Sequence, residues 1–77
     1  MWTIELVGWF LPLTKQIVNY VPRHRLDDFY RVSGVSKATK WYSLADAKKA
    51  ADKVSSADPY RRSGSGPFPI MRGKRIR

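Results

Sequence analysis

The chain has 77 residues and a mass of 8.9 kDa, with 15 Lys and Arg against 6 Asp and Glu, a formal net charge of +9 and a pI near 10.4. That length excludes a multidomain enzyme, and that charge makes an acidic partner the first question. With 43% hydrophobic and 13% aromatic residues the chain is no disordered polyelectrolyte, although a chain this short buries only about 60% of its unfolded surface. Cysteine is absent, so neither a disulfide nor a thiolate zinc site supplements the small core.

The amino-terminal stretch Trp2 to Phe10 alternates, with Trp2, Ile4, Leu6 and Phe10 on one side and Thr3 and Glu5 on the other, and is expected to form a half-buried strand. Pro12 ends it. Lys15 to Val21, rich in Ile, Val and Tyr, is expected as a second strand, antiparallel because the connection is too short for a crossover. After the polar stretch Arg23 to Asp28, the run Phe29 to Ser33 reads as a third strand. Gly34 and the segment Ser36-Lys37-Ala38 make a bend before a fourth, Thr39 to Tyr42.

The best-marked element follows. Ser43, three residues ahead of Asp46, is a shortened capping box, and Leu44, Ala47, Ala50, Ala51 and Val54 recur at helical spacing. The alanines leave a thin apolar face, so this helix is expected to lie close against a sheet. Ser55, Ser56 and Pro59 mark its end. The expected fold is a small α+β domain: an antiparallel sheet of three to four strands with one helix, about 43–55, on one face. Residues 1–59 form the domain, and 60–77 a basic arm interrupted by glycine and proline, with a short edge strand at 68–71.

Nothing in the sequence assembles into catalysis, and the expectation is a non-enzymatic protein with no cofactor and no metal. His24, the only histidine, lies between Arg23 and Arg25, where like charge disfavours its protonated form and no ligand partners stand nearby. Asp27 and Asp28 are adjacent, and in extended chain adjacent side chains point apart. They are expected to cap a turn. Gly64-Ser65-Gly66 lacks the Lys and Ser or Thr of a phosphate-binding loop and reads as a hinge.

Binding is better supported, because the charge is concentrated. Residues 1–59 carry nine basic and six acidic side chains, net +3, whereas 60–77 carry six basic and none acidic, net +6. Arg61, Arg62, Arg72, Lys74, Arg75 and Arg77 are therefore expected to contact phosphates, each contact releasing condensed counterions. Arg31, Lys37, Lys40 and Trp41, on the expected hairpin beside Tyr30 and Tyr42, would orient the domain, with an exposed aromatic stacking on bases.

The leading expectation is binding to nucleic acid, DNA or RNA, or to a complex that handles it. The alternative is docking on an acidic host protein surface, for which three Trp, four Tyr and eight Arg supply suitable anchors. Attachment to an anionic membrane is weaker, as no strongly amphipathic basic helix is evident. No stretch approaches the roughly 20 apolar residues of a membrane span. Glu5 is the only charged side chain before Lys15, unlike the basic start of a secretory signal. A soluble cytoplasmic protein is expected, in the host cytoplasm if viral.

The segment Phe29 to Val54, a hairpin ending in Lys40-Trp41-Tyr42-Ser43 and running into the helix Leu44-Ala45-Asp46-Ala47-Lys48-Lys49-Ala50-Ala51, resembles two groups of proteins. One is the sheet-plus-helix arm-binding domains of phage-type integrases, in which the sheet enters the major groove. The other is the small bacteriophage accessory proteins that bind and redirect host enzymes, including transcription and defence machinery. The resemblance covers about a third of the chain and transfers no functional residue. An integrase arm domain would precede a long catalytic region, so the expectation leans to a free-standing accessory protein that inhibits or regulates its target.

Overall fold

The computed structural model describes residues 1–19, 23–57 and 66–77. In chain order these form β1 (Trp2–Leu11), β2 (Gln16–Val18), α1 (Arg23–Ser33), α2 (Leu44–Ser55) and β3 (Phe68–Arg75). The three strands make one antiparallel sheet in the order β2-β1-β3. The domain is therefore α+β as expected, but with two helices on its sheet.

The central strand is the most apolar, and it holds a bulge. Pairing with β3 runs from Trp2 opposite Arg75 to Leu6 opposite Met71, then resumes with Gly8 opposite Ile70, so Val7 is an extra residue. One inserted residue reverses the alternation. Past the bulge Trp9 turns inward with Ile4 and is buried, while Phe10 leaves the inward row assigned to it by simple alternation. The connection to β2 is tight: the Lys15 amide donates to the Leu11 carbonyl at 2.7 Å, and Lys15 adopts φ 56°. The second strand is shorter than expected, and Tyr20 and Val21 lie outside the described residues.

The third expected strand, Phe29 to Ser33, is instead the second half of α1. Its β-branched and aromatic content suggested a strand, but Leu26, Phe29 and Tyr30 repeat at helical spacing once the polar stretch before them is included. Phe29 is fully buried, its ring centroid 5.9 Å from that of Trp9 at 58°. Gly34, at φ 75°, terminates the helix by donating its amide to the Tyr30 and Arg31 carbonyls at 3.1 and 3.4 Å. Asp27 and Asp28 thus sit on a helix rather than at a turn.

The fourth expected strand, Thr39 to Tyr42, contracts to a single bridge in which Trp41 and Trp2 exchange backbone hydrogen bonds of 2.7 and 2.8 Å. No hairpin exists over 29–42, because α1 occupies its first arm.

The expected helix is present as α2. Ser43 accepts from the Asp46 amide at 3.2 Å, and Asp46 lies in the first turn. Its face of Ala47, Ala50, Ala51 and Val54 is buried, packed chiefly on β3. Small residues on both sides allow that closeness: a Cβ on Gly73 would lie 2.8 Å from Leu44 Cδ1 and 3.7 Å from Ala47 Cβ. The core joins Ile4, Trp9, Phe29, Ala47, Ala51, Val54 and Met71. Both helices contribute to it, so they cover the same side of the sheet.

The edge strand expected at 68–71 runs on to Arg75 and lies at the edge of the sheet. Its basic end is paired backbone rather than an extended arm, while Arg61, Arg62, Gly64 and Ser65 lie outside the described residues. Pro69 fits an edge strand, since its missing N–H costs no ladder bond there. The Met71 amide donates to Ser55 Oγ of α2 at 3.1 Å.

Candidate functional site

Residues opposite one another in a ladder project to the same side of a sheet. Ile4, Leu6, Trp9, Pro69, Met71 and Gly73 form the side beneath the helices. The other side carries Thr3 and Lys74, Glu5 and Arg72, Gly8 and Ile70, and Phe10 with Phe68 and Ile17. No helix among the described residues covers it.

This open face is divided. At one end Phe10 and Phe68, both half-buried, stand with ring centroids 5.3 Å apart at 55°, next to Ile17, which is 58% exposed; Phe68 also packs against the core. Ile17 overlies Gly8, where an added Cβ would meet its Cγ2 at 2.6 Å. At the other end Arg72 and Lys74 flank Glu5, with Arg72 Nε 2.6 Å from Oε1 and Lys74 Nζ 3.6 Å from Oε2. The hydrogen bond from Arg72 holds the Glu5 carboxyl below its ordinary value. Desolvation opposes that, while the charges of Arg72 and Lys74 reinforce the lowering. Two cations against one carboxylate leave this end positive.

The Trp2–Trp41 bridge brings one further cation near. Lys40 precedes Trp41 and so comes alongside Thr3, whose hydroxyl donates to the Thr39 carbonyl at 3.5 Å. Lys40, Arg72 and Lys74 therefore gather around one end of the open face.

The other expected binding residues that the structure describes do not join them, and Arg61 and Arg62 lie outside the described residues. Arg75 pairs with Trp2, in the row that belongs to the helix-covered side, and Arg77 lies beyond the strand. Arg31, in the last turn of α1, reaches Asp28 Oδ1 at 3.5 Å. Lys37 forms an ion pair with Asp27, and its Nζ lies 5.8 Å from the Tyr30 ring centroid. Desolvation pushes the Tyr30 phenol up; the Lys37 charge opposes this and Asp27 reinforces it. Arg31 and Lys37 are thus engaged with neighbouring acids. Trp41 is half-buried against the core, whereas the adjacent Tyr42 is 90% exposed.

Phe10, Phe68 and Ile70 were not among the expected site residues. Their signal was the Gly8 inside an apolar strand, which marks a bulge and reverses the alternation after it. Among the described residues no group of three or more His, Cys, Asp or Glu could hold a metal, and no helix is long and apolar enough to cross a membrane.

Comparison with protein-family profiles, characterised proteins and solved structures finds no match to this chain.

Proposed function

We propose that the chain is a non-enzymatic module that binds single-stranded nucleic acid across the open face of its sheet. The observation that carries this reading is the placement of Phe10, in ring contact with Phe68, on the same side of the sheet as Arg72 and Lys74, a side that no helix among the described residues covers. Aromatic rings stack on bases of any sequence, and cations spaced along a strand meet successive phosphates. Lys40 extends the cationic end. The net charge of +9 adds long-range attraction for a polyanion.

A second reading rests on a separate observation. Leu13 is 77%, Ile17 58% and Val7 44% exposed, and aliphatic side chains at one end of a sheet suit a protein partner better than a nucleic acid. In this reading the chain regulates a host enzyme by docking on an acidic surface, with Arg72 and Lys74 at the rim.

Fluorescence anisotropy of a labelled oligonucleotide across a salt series separates the two. Three phosphate contacts, from Lys40, Arg72 and Lys74, predict a log–log slope of about −2 for a single strand. Arg72→Gln with Lys74→Gln would flatten it to roughly −0.7. Absence of binding at low salt, with a stoichiometric protein partner retained after nuclease treatment, would select the second reading.

A further inference from the structure

A second concavity lies on the helical side of the molecule. Between α2 and the segment 34–41 opens a cleft of about 520 Å³, walled by Val35, Thr39, Trp41 and Ala50 and rimmed by Lys49 and Lys53. Its volume falls within the roughly 300–1,000 Å³ of small-molecule sites. Part of the wall is held in place by backbone hydrogen bonds. The Trp41 backbone is pinned to Trp2 through two hydrogen bonds of 2.7 and 2.8 Å. Gly34, also on the cleft, is fixed as the terminus of α1.

The lysines stand four residues apart on one helix, which brings their Cβ atoms to about 6 Å. Neither has an ion pair among the described residues, unlike Arg31, Lys37, Arg72 and Lys74. Asp46 is the only acid on the cleft among the described residues, and it lies in the first turn of α2, where the helix dipole favours it. The cleft thus combines an indole, aliphatic wall groups and two uncommitted ammonium groups.

We propose that this cleft binds a small planar aromatic anion, its ring against Trp41 and its phosphate or carboxylate between Lys49 and Lys53. The apolar wall favours a ring over a bare anion, and the paired ammonium groups favour an anion over a neutral ring. The inference is independent of nucleic-acid binding on the open face, because Lys49 and Lys53 belong to α2 and the Trp41 side chain packs against the core on the helix-covered side.

Titration of the full chain, followed by NMR at the Trp41 indole N–H, provides the test. Adenosine monophosphate and indole-3-acetate are the phosphate and carboxylate probes, with adenosine and inorganic phosphate as controls. The proposal expects saturable shifts at Trp41 with at least one aromatic anion and at least about tenfold weaker binding of both controls. Lys49→Gln with Lys53→Gln, both exposed positions, should weaken the anion by roughly tenfold or more, whereas Arg72→Gln with Lys74→Gln should leave it unchanged. No saturable shift at Trp41, or equal affinity in the lysine variant, would overturn the proposal.

Discussion

Arg72 donates its Nε–H to Glu5 Oε1 at 2.6 Å across the β1–β3 ladder, on the side of the sheet that the helices leave open. A single carboxylate there meets two cations, and it would compete directly with any phosphate that approached them. Glu5→Gln should therefore raise affinity for a single strand several-fold and steepen its salt dependence. Anisotropy titration of the variant against the native chain checks this; an unchanged affinity would place the ligand elsewhere.

The same pair makes stability depend on pH. The Glu5 carboxyl is lowered in the folded chain, so its stabilising contribution is complete above the unfolded value near 4.5 and is lost as pH falls through the lower folded value. Urea denaturation at neutral pH and at about pH 3 should show a smaller loss of stability in Glu5→Gln than in the native chain. An equal loss in both would remove Glu5 as a contributor.

How the sheet and helices were encoded differs from element to element. The second helix was legible because Ser43, Asp46 and the alanine spacing agree with one another, and each reports purely local chemistry. The first was missed because Phe29 to Ser33 carries strand-like residues, and only its union with Leu26 reveals a helical period, with Gly34 as its stop signal rather than a bend. Likewise the cations of 72–77 were visible but not their distribution. A strand sends Arg72 and Lys74 to one side and Arg75 to the other, and Glu5, 67 residues away in sequence, becomes their partner. One bulge hides the open face from simple alternation, since Val7 is an extra residue that turns Phe10 outward.

Phe29 and Trp9 tie α1 to the sheet, and removing that contact tests the burial of Phe29. Phe29→Ala should cost about 3–5 kcal/mol, much of the stability of a domain this small, and Phe29→Leu less than about 1.5 kcal/mol. Denaturation curves of the two variants measure both. Had the segment been a surface strand, both changes would be near neutral.

Ser55 fastens the helix to the edge strand by accepting from the Met71 amide. Ser55→Ala leaves that partly buried amide without its partner and should destabilise by about 1–2 kcal/mol. Faster amide exchange at Met71, with exchange at Leu6 little altered, would locate the effect at the edge. Unchanged exchange at Met71 would refute the link.

At the other end of the sheet, Gly8 leaves room for Ile17. A Cβ there meets Ile17 Cγ2 at 2.6 Å and the Val18 carbonyl oxygen at 3.2 Å, so Gly8→Ala should cost about 1–3 kcal/mol. Adding Ile17→Ala should recover part of that loss, which a double-mutant cycle on thermal or urea unfolding would show as a coupling of the two sites. Strict additivity would contradict the contact.

The most direct test of the open sheet face as the binding surface is amide chemical-shift mapping while a short single-stranded oligonucleotide is added to the full chain. The account predicts saturable changes at Thr3, Glu5, Phe10, Phe68, Ile70, Arg72 and Lys74, with little change along α2 outside the cleft of Lys49 and Lys53. Changes concentrated on α2, or none at any residue of β1 and β3, would contradict it.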